Sequence, residues 1–231
     1  MTVSLEHLRR IRSFVRRDGR MTPAQRRAVT ELRGRFGLDV SEGLMDFSRI
    51  FGRSAPCYLE IGFGTGHSLL AAALQHPEVD FIGVETHLPG IGTLLAGIEE
   101  KGVTNIRVCH SDVVLVLGQC LAPESLAGVQ IFFPDPWPKR RHHKRRLVQT
   151  PFIKDCLSKL APGGILHLAT DWEEYAVQMM RVLSEFSELE NMAGAHQYAA
   201  RSNQRPLVTR FEKRGEQAGH VIRELAFVKK I

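Results

Sequence analysis

No apolar run in this chain of 231 residues approaches the roughly 18 residues that a membrane-spanning helix needs. The N-terminus, Met1 to Arg20, is rich in arginine and lacks the apolar stretch of a signal peptide, so a soluble cytoplasmic protein is expected. Cysteine is scarce. Cys57, Cys109, Cys120 and Cys156 stand singly with no C-x-x-C pair, which leaves buried reduced thiols as the reading. Repeats and long Gly/Ser or Pro-rich linkers are also missing. One domain over residues 41–231, behind a basic and mobile arm of residues 1–40, is the economical description. What remains, 43% hydrophobic and 24% charged residues, is an ordinary globular balance that argues against disordered and fibrous classes.

Acidic residues are locally scarce as well. The net charge is +6, yet residues 1–35 alone hold ten arginines against Glu6, Asp18 and Glu31. A second cluster, Lys139, Arg140, Arg141, Lys144, Arg145 and Arg146 around His142 and His143, contains no acid. A third and looser group comprises Arg201, Arg205, Arg210, Lys213 and Arg214. One such cluster can be a solvated face; three on a near-neutral body point to a phosphate-rich partner. His142 and His143, with no acid or cysteine at ligand spacing, make poor metal ligands, and no metal is expected.

Leu5, Leu8, Ile11, Phe14 and Val15 recur at helical spacing, and Thr22-Pro23 opens a second helix as cap and first-turn proline. Apolar runs predict strands at Tyr58 to Ile61, Phe81 to Val84, Ile106 to Cys109, Val129 to Phe133 and Ile165 to Ala169. Helical stretches intervene at Ser68 to Gln75, Ile91 to Lys101, Phe152 to Leu160 and Glu173 to Phe186. The alternation predicts an α/β fold: a mainly parallel sheet with helices on both faces, plus a late antiparallel strand within His220 to Lys229.

Ligands of such sheets bind beyond the C-terminal strand ends. The first predicted strand ends Glu60-Ile61-Gly62-Phe63-Gly64-Thr65-Gly66, a glycine turn into a helix. His67 occupies the third glycine position of a G-x-G-x-x-G fingerprint, which weakens a nicotinamide-dinucleotide reading. Further acids stand at the next strand ends, Glu85 and Asp112, and disfavour a phosphate-rich ligand. A ligand with hydroxyl, amine and cationic groups, such as S-adenosylmethionine, suits them. Structural roles are open too: Glu60 paired with an arginine, and Asp112 or Asp171 as helix caps. The fourth strand runs into Pro134-Asp135-Pro136-Trp137-Pro138 and then the second basic cluster. Flanking prolines stiffen the backbone and hold the Asp135 carboxylate at the sheet edge. Trp137 can stack on a base or pack the loop.

Phe133-Pro134-Asp135-Pro136-Trp137-Pro138-Lys139 and Arg141-His142-His143-Lys144-Arg145-Arg146, with the glycine loop from Glu60, strongly resemble the tRNA (guanine-N7-)-methyltransferase family. Ala169-Thr170-Asp171-Trp172, Thr209-Arg210-Phe211-Glu212, Arg214-Gly215, Gly219-His220 and Gly19-Arg20-Met21-Thr22 follow the same family order. The resemblance implies a Rossmann-like class I methyltransferase that moves a methyl group from S-adenosyl-L-methionine to N7 of a guanosine in the tRNA variable loop. It implies cofactor contacts at Glu60, Gly62, Gly64, Gly66, Glu85, Asp112 and Asp135, with Asp135 also the catalytic residue. Guanosine contacts fall on Lys139, Asp171, Thr209, Arg210, Phe211 and Glu212, and RNA contacts on Arg141, His142, His143, Lys144, Arg145 and Arg146. Three departures stand out. One extra residue separates Arg205-Pro206 from Thr209, and Arg210 and Glu224 stand where lysine and aspartate are usual.

The rivals are an amino-nitrogen methyltransferase, suggested by Asp135-Pro136-Trp137, a nicotinamide oxidoreductase, and a non-catalytic RNA-binding module. Monomer and homodimer are equally compatible with the sequence.

Overall fold

The fold is described from a computed structural model, in which residues 19–202, 205–208, 212 and 219–231 are described. The predicted helix over Leu5 to Val15 lies outside them.

The chain first forms α1 (Pro23–Phe36), β1 (Gly37–Leu38) and a short α2 (Phe47–Phe51). The central alternation follows: β2 (Cys57–Ile61), α3 (His67–Gln75), β3 (Asp80–Glu85), α4 (Leu88–Lys101), β4 (Ile106–His110), α5 (Val113–Gln119), β5 (Leu126–Phe132), α6 (Thr150–Lys159), β6 (Leu160–Thr170) and α7 (Glu173–Ser184). The chain closes with β7 (Leu189–Asn191) and β8 (Arg223–Lys229). Among the described residues these strands form one eight-stranded sheet of order β1-β4-β3-β2-β5-β6-β8-β7. β6 and β8 pair antiparallel, as do β7 and β8; the remaining pairings are parallel. The α/β expectation with a late antiparallel strand therefore holds, and β1 and β7 are the additions that short, weakly apolar segments did not signal.

Alternation along the strands sends side chains to two cores. Leu59, Ile82, Ile131, Leu168 and Leu225 meet α5, α6 and α7 on one face, whereas Phe81, Ile106 and Val108 meet α1, α3 and α4 on the other. All four cysteines are buried and unpaired. α1 begins with a capping box: Thr22 Oγ1 accepts the Gln25 amide while Gln25 Oε1 accepts the Thr22 amide. Its Ala28, Leu32 and Phe36 are buried in the second core. Through these side chains α1 packs against the sheet's second core.

From β2 the chain builds outward to β3 and β4, then returns to place β5 on the other side of β2. That reversal opens a crevice beyond the C-terminal ends of β2 and β5.

Candidate active site at the strand ends

At the end of β2, Gly62 and Gly64 have φ of 75° and 60°. A Cβ at either position would meet nothing within 4 Å, so the turn needs glycine for its left-handed backbone and faces open space. A Cβ on Gly66 would instead strike Leu94, which makes that glycine a packing contact with α4. Gly90, in the first turn of α4, lies so close that an added Cβ would stand 2.0 Å from the Gly64 carbonyl oxygen.

The strand-end acids divide by environment. Glu60 is 4% exposed, and neither carboxylate oxygen accepts a hydrogen bond among the described residues. Burial pushes its carboxyl up to about 8, with Arg205 opposing and Glu85 reinforcing the shift. Glu85 braces the loop: Oε2 accepts the Gly64 amide at 2.9 Å, and Oε1 accepts those of Thr86 and His87 at 2.6 and 2.9 Å. Oε1 also accepts the Thr86 hydroxyl at 3.4 Å, so the room for a ligand hydroxyl is on Oε2, which accepts one bond. Asp112 caps α5, accepting the Val114 amide at 3.0 Å.

Across the switch point, Asp135 is exposed at the rim after β5. Beside the two prolines, Phe133 and Trp137 hold left-handed φ of 50° and 46°, each at a cost on the order of 1–3 kcal/mol. Side-chain contacts fix this shape. The Arg145 guanidinium sits 4.1 Å from the Trp137 ring centroid, and His142 meets the same ring edge-on at 5.9 Å. Trp137 therefore packs the loop.

Of the six residues expected to contact RNA, Arg141 and Lys144 are exposed and His142, His143 and Arg145 half-buried. Arg146 is 2% exposed and turned inward. Lys139 is exposed ahead of the 3-10 turn Arg140–Arg145. Asp171, at the end of β6, does not cap α7, whose cap is Trp172; its carboxylate instead lies 3.7 Å from His220 Nδ1. Thr209, Arg210 and Phe211 lie outside the described residues.

Glu212 is 2% exposed, and its oxygens already accept from Arg201 at 2.7 Å and from Arg205 at 2.8 and 3.1 Å. Sequence reasoning missed this network. Arg205 also donates to Glu224, which in turn bonds His167 at 2.7 Å. Burial opposes Glu224's charge, but the bonds from His167 and Arg205 win and hold its carboxyl below the ordinary range. Burial likewise disfavours the Arg205 cation, and the Glu212 and Glu224 bonds more than restore it. The available signal was a histidine inside an apolar strand, which demands a buried partner.

Comparison with known proteins bears on this arrangement. Residues 54–225 match the family model described as "Putative methyltransferase". The chain is 50% identical over 222 residues to the tRNA (guanine-N(7)-)-methyltransferase of Idiomarina loihiensis, covering 96% of this chain and 90% of that protein. It is 54% identical to the Burkholderia vietnamiensis protein of the same name, covering 97% and 87%. The chain belongs to the tRNA (guanine-N7-)-methyltransferase family. Among solved structures, 16S rRNA methyltransferase KamB shares the fold, with a TM-score of 0.59 at 12% identity over 81% of this chain and 95% of that one.

The family's methyl donor fits the residues present: open space over Gly62 and Gly64, the buried Glu60 carboxyl, and the Glu85 and Asp112 oxygens. Among the described residues no group of His, Cys, Asp and Glu is placed to hold a metal ion, and no helix is long and apolar enough to cross a membrane.

Proposed function

We propose that this tRNA (guanine-N7-)-methyltransferase family member methylates N7 of a guanosine in the variable loop of tRNA, in the cytoplasm, using S-adenosyl-L-methionine. The reading rests chiefly on one observation: a proline-flanked aspartate, in a backbone held in left-handed strain, stands across the sheet's switch point from an open glycine turn. When bound, S-adenosylmethionine supplies a sulfonium whose methyl carbon is already electrophilic. Guanine N7 carries a free lone pair at neutral pH, so no residue need remove a proton from it.

The chain's task is alignment, an effect worth up to roughly 7–11 kcal/mol, and stabilisation of the positive charge arriving on the purine. Gly62, Gly64, Glu60, Glu85 and Asp112 hold the donor, with Gly66 keeping the loop seated on α4. Asp135 orients donor and target. Lys139 and the Thr209–Glu212 stretch flank the guanosine. With Glu212 engaged by two arginines, Asp171 accepts from guanine N1–H and the amino group, bonds that strengthen as the ring becomes cationic.

Nucleoside analysis of tRNA incubated with protein and cofactor is expected to yield 7-methylguanosine. A product methylated on an amino nitrogen, or none, would overturn the reading. Asp135→Asn is expected to slow methyl transfer by about 10²-fold or more with cofactor affinity held within a few-fold. Wild-type transfer by that variant, with unchanged cofactor binding, would remove Asp135 from the reaction.

A further inference from the structure

The basic run Lys139 to Arg146 reads in sequence as one phosphate-binding patch, but its side chains do not share a direction. Lys139, Arg140, Arg141 and Lys144 are exposed, whereas the 3-10 turn Arg140–Arg145 brings the final arginine inside. The Arg146 side chain is 1% exposed. Its three nitrogens are all in use. Nε donates to the Pro136 carbonyl at 2.8 Å, Nη1 to Gln178 Oε1 at 2.6 Å, and Nη2 meets His143 Nε2 at 3.0 Å. The plane lies 4.9 Å from the Tyr175 ring centroid, and Tyr175 in turn accepts the Val148 amide at 3.0 Å.

A guanidinium so enclosed offers no surface to a phosphate. What it does hold is the carbonyl of the residue next to Asp135. Pro136 lies between that aspartate and Trp137, whose φ is left-handed, and Phe133 on the other side is strained in the same sense. A backbone of this kind keeps its shape only where its surroundings over-determine it. Arg146 ties it to Gln178 and Tyr175 on α7, a regular helix whose buried face belongs to the core.

We propose that Arg146 is the positioning residue that fixes the Asp135 loop for methyl transfer, and not a contact for tRNA. It acts through the Pro136 carbonyl and so rests on the assignment of Asp135 to the reaction. A fork of donors in a fixed plane is required. Lysine keeps the charge but has one nitrogen on a flexible stem, and it cannot span a carbonyl on the loop and an amide oxygen on α7 together.

Single-turnover transfer at saturating tRNA and cofactor, measured beside tRNA affinity as a function of salt, separates the two roles. Arg146→Lys is expected to slow transfer on the order of 10²-fold, the penalty of a small misplacement. Its tRNA affinity should stay within about threefold of wild type, with an unchanged salt slope. Arg141→Ala, at an exposed position of the same run, is expected to weaken binding and lower the salt slope by about one. In Arg146→Ala, added guanidinium should restore part of the lost rate. Gln178→Leu, which leaves the arginine and its charge in place, should slow transfer in the same direction and keeps the proposal testable if the Arg146 variants do not fold.

Full single-turnover rate in Arg146→Lys with weakened, less salt-dependent tRNA binding would overturn the proposal, as would wild-type behaviour in both measurements. Asp135→Asn, run alongside, distinguishes the two possible failures. If that variant keeps its rate, the assignment of Asp135 falls and the brace falls with it; if it loses its rate while Arg146→Lys does not, only the brace falls.

Discussion

Glu60 shows how one buried side chain at the end of β2 couples the fold to pH. Its carboxyl is raised from 4.5 to about 8 because burial strips water from the anion and the Arg205 cation only partly offsets the loss. The folded state therefore binds a proton that the unfolded chain has already released. The associated stability is fully present below the unfolded value of 4.5 and is lost as pH rises through about 8. Glu60→Gln is expected to flatten the decline of unfolding free energy across that window, as followed by urea denaturation at stepped pH. An equally steep decline in the variant would assign the proton elsewhere. Proximity of Glu60 to the end of β2 was legible from the sequence. Its protonation was not, since burial depends on what the rest of the chain stacks over it.

At the scale of elements, the C-terminal segment is joined to the sheet by charge. Arg205 bridges Glu212 and Glu224, whose side chains are 2% and 3% exposed, and Glu224 reaches His167 on β6. Removing the cation would take from two buried carboxylates the partner they share, leaving Arg201 on Glu212 and His167 on Glu224. Arg205→Leu is expected to cost about 3–5 kcal/mol of unfolding free energy, readable from denaturant melts. A loss under 1 kcal/mol would mean that the two acids find water instead. The α4 N-terminus and the glycine turn form a second such junction. Gly90→Ala places a methyl 2.0 Å from the Gly64 carbonyl oxygen, so the turn must move. Weaker cofactor binding and a stability loss of about 1–3 kcal/mol are expected, by calorimetric titration and thermal unfolding. The sequence marked Gly62 and Gly64 as a ligand turn, but it carried no sign that Gly90 and Gly66 were the packing partners that seat it.

The whole molecule is a net cation with acidic side chains at the C-terminal ends of its strands. Its net charge is +6, while Glu60, Glu85, Asp112 and Asp135 stand at or just beyond the strand ends. On the proposed reading, tRNA phosphates meet the exposed cations and one base meets the strand-end rim. Log affinity for tRNA is expected to fall steeply and linearly with log salt, in filter binding or anisotropy; a nearly flat line would contradict phosphate-dominated recognition.

Sequence alone determined the alternation of strand and helix, the late antiparallel strand, the acids at strand ends and the proline-flanked aspartate, because each is written in neighbouring residues. Tertiary structure alone decided which charges face water and which face one another. His167 and Glu224 are 57 positions apart, and Arg146 and Gln178 are 32 apart. No local pattern records such pairings. They exist because the sheet's order and the crossing of α7 bring distant side chains into a space from which water is excluded, where an unpaired charge costs too much to keep.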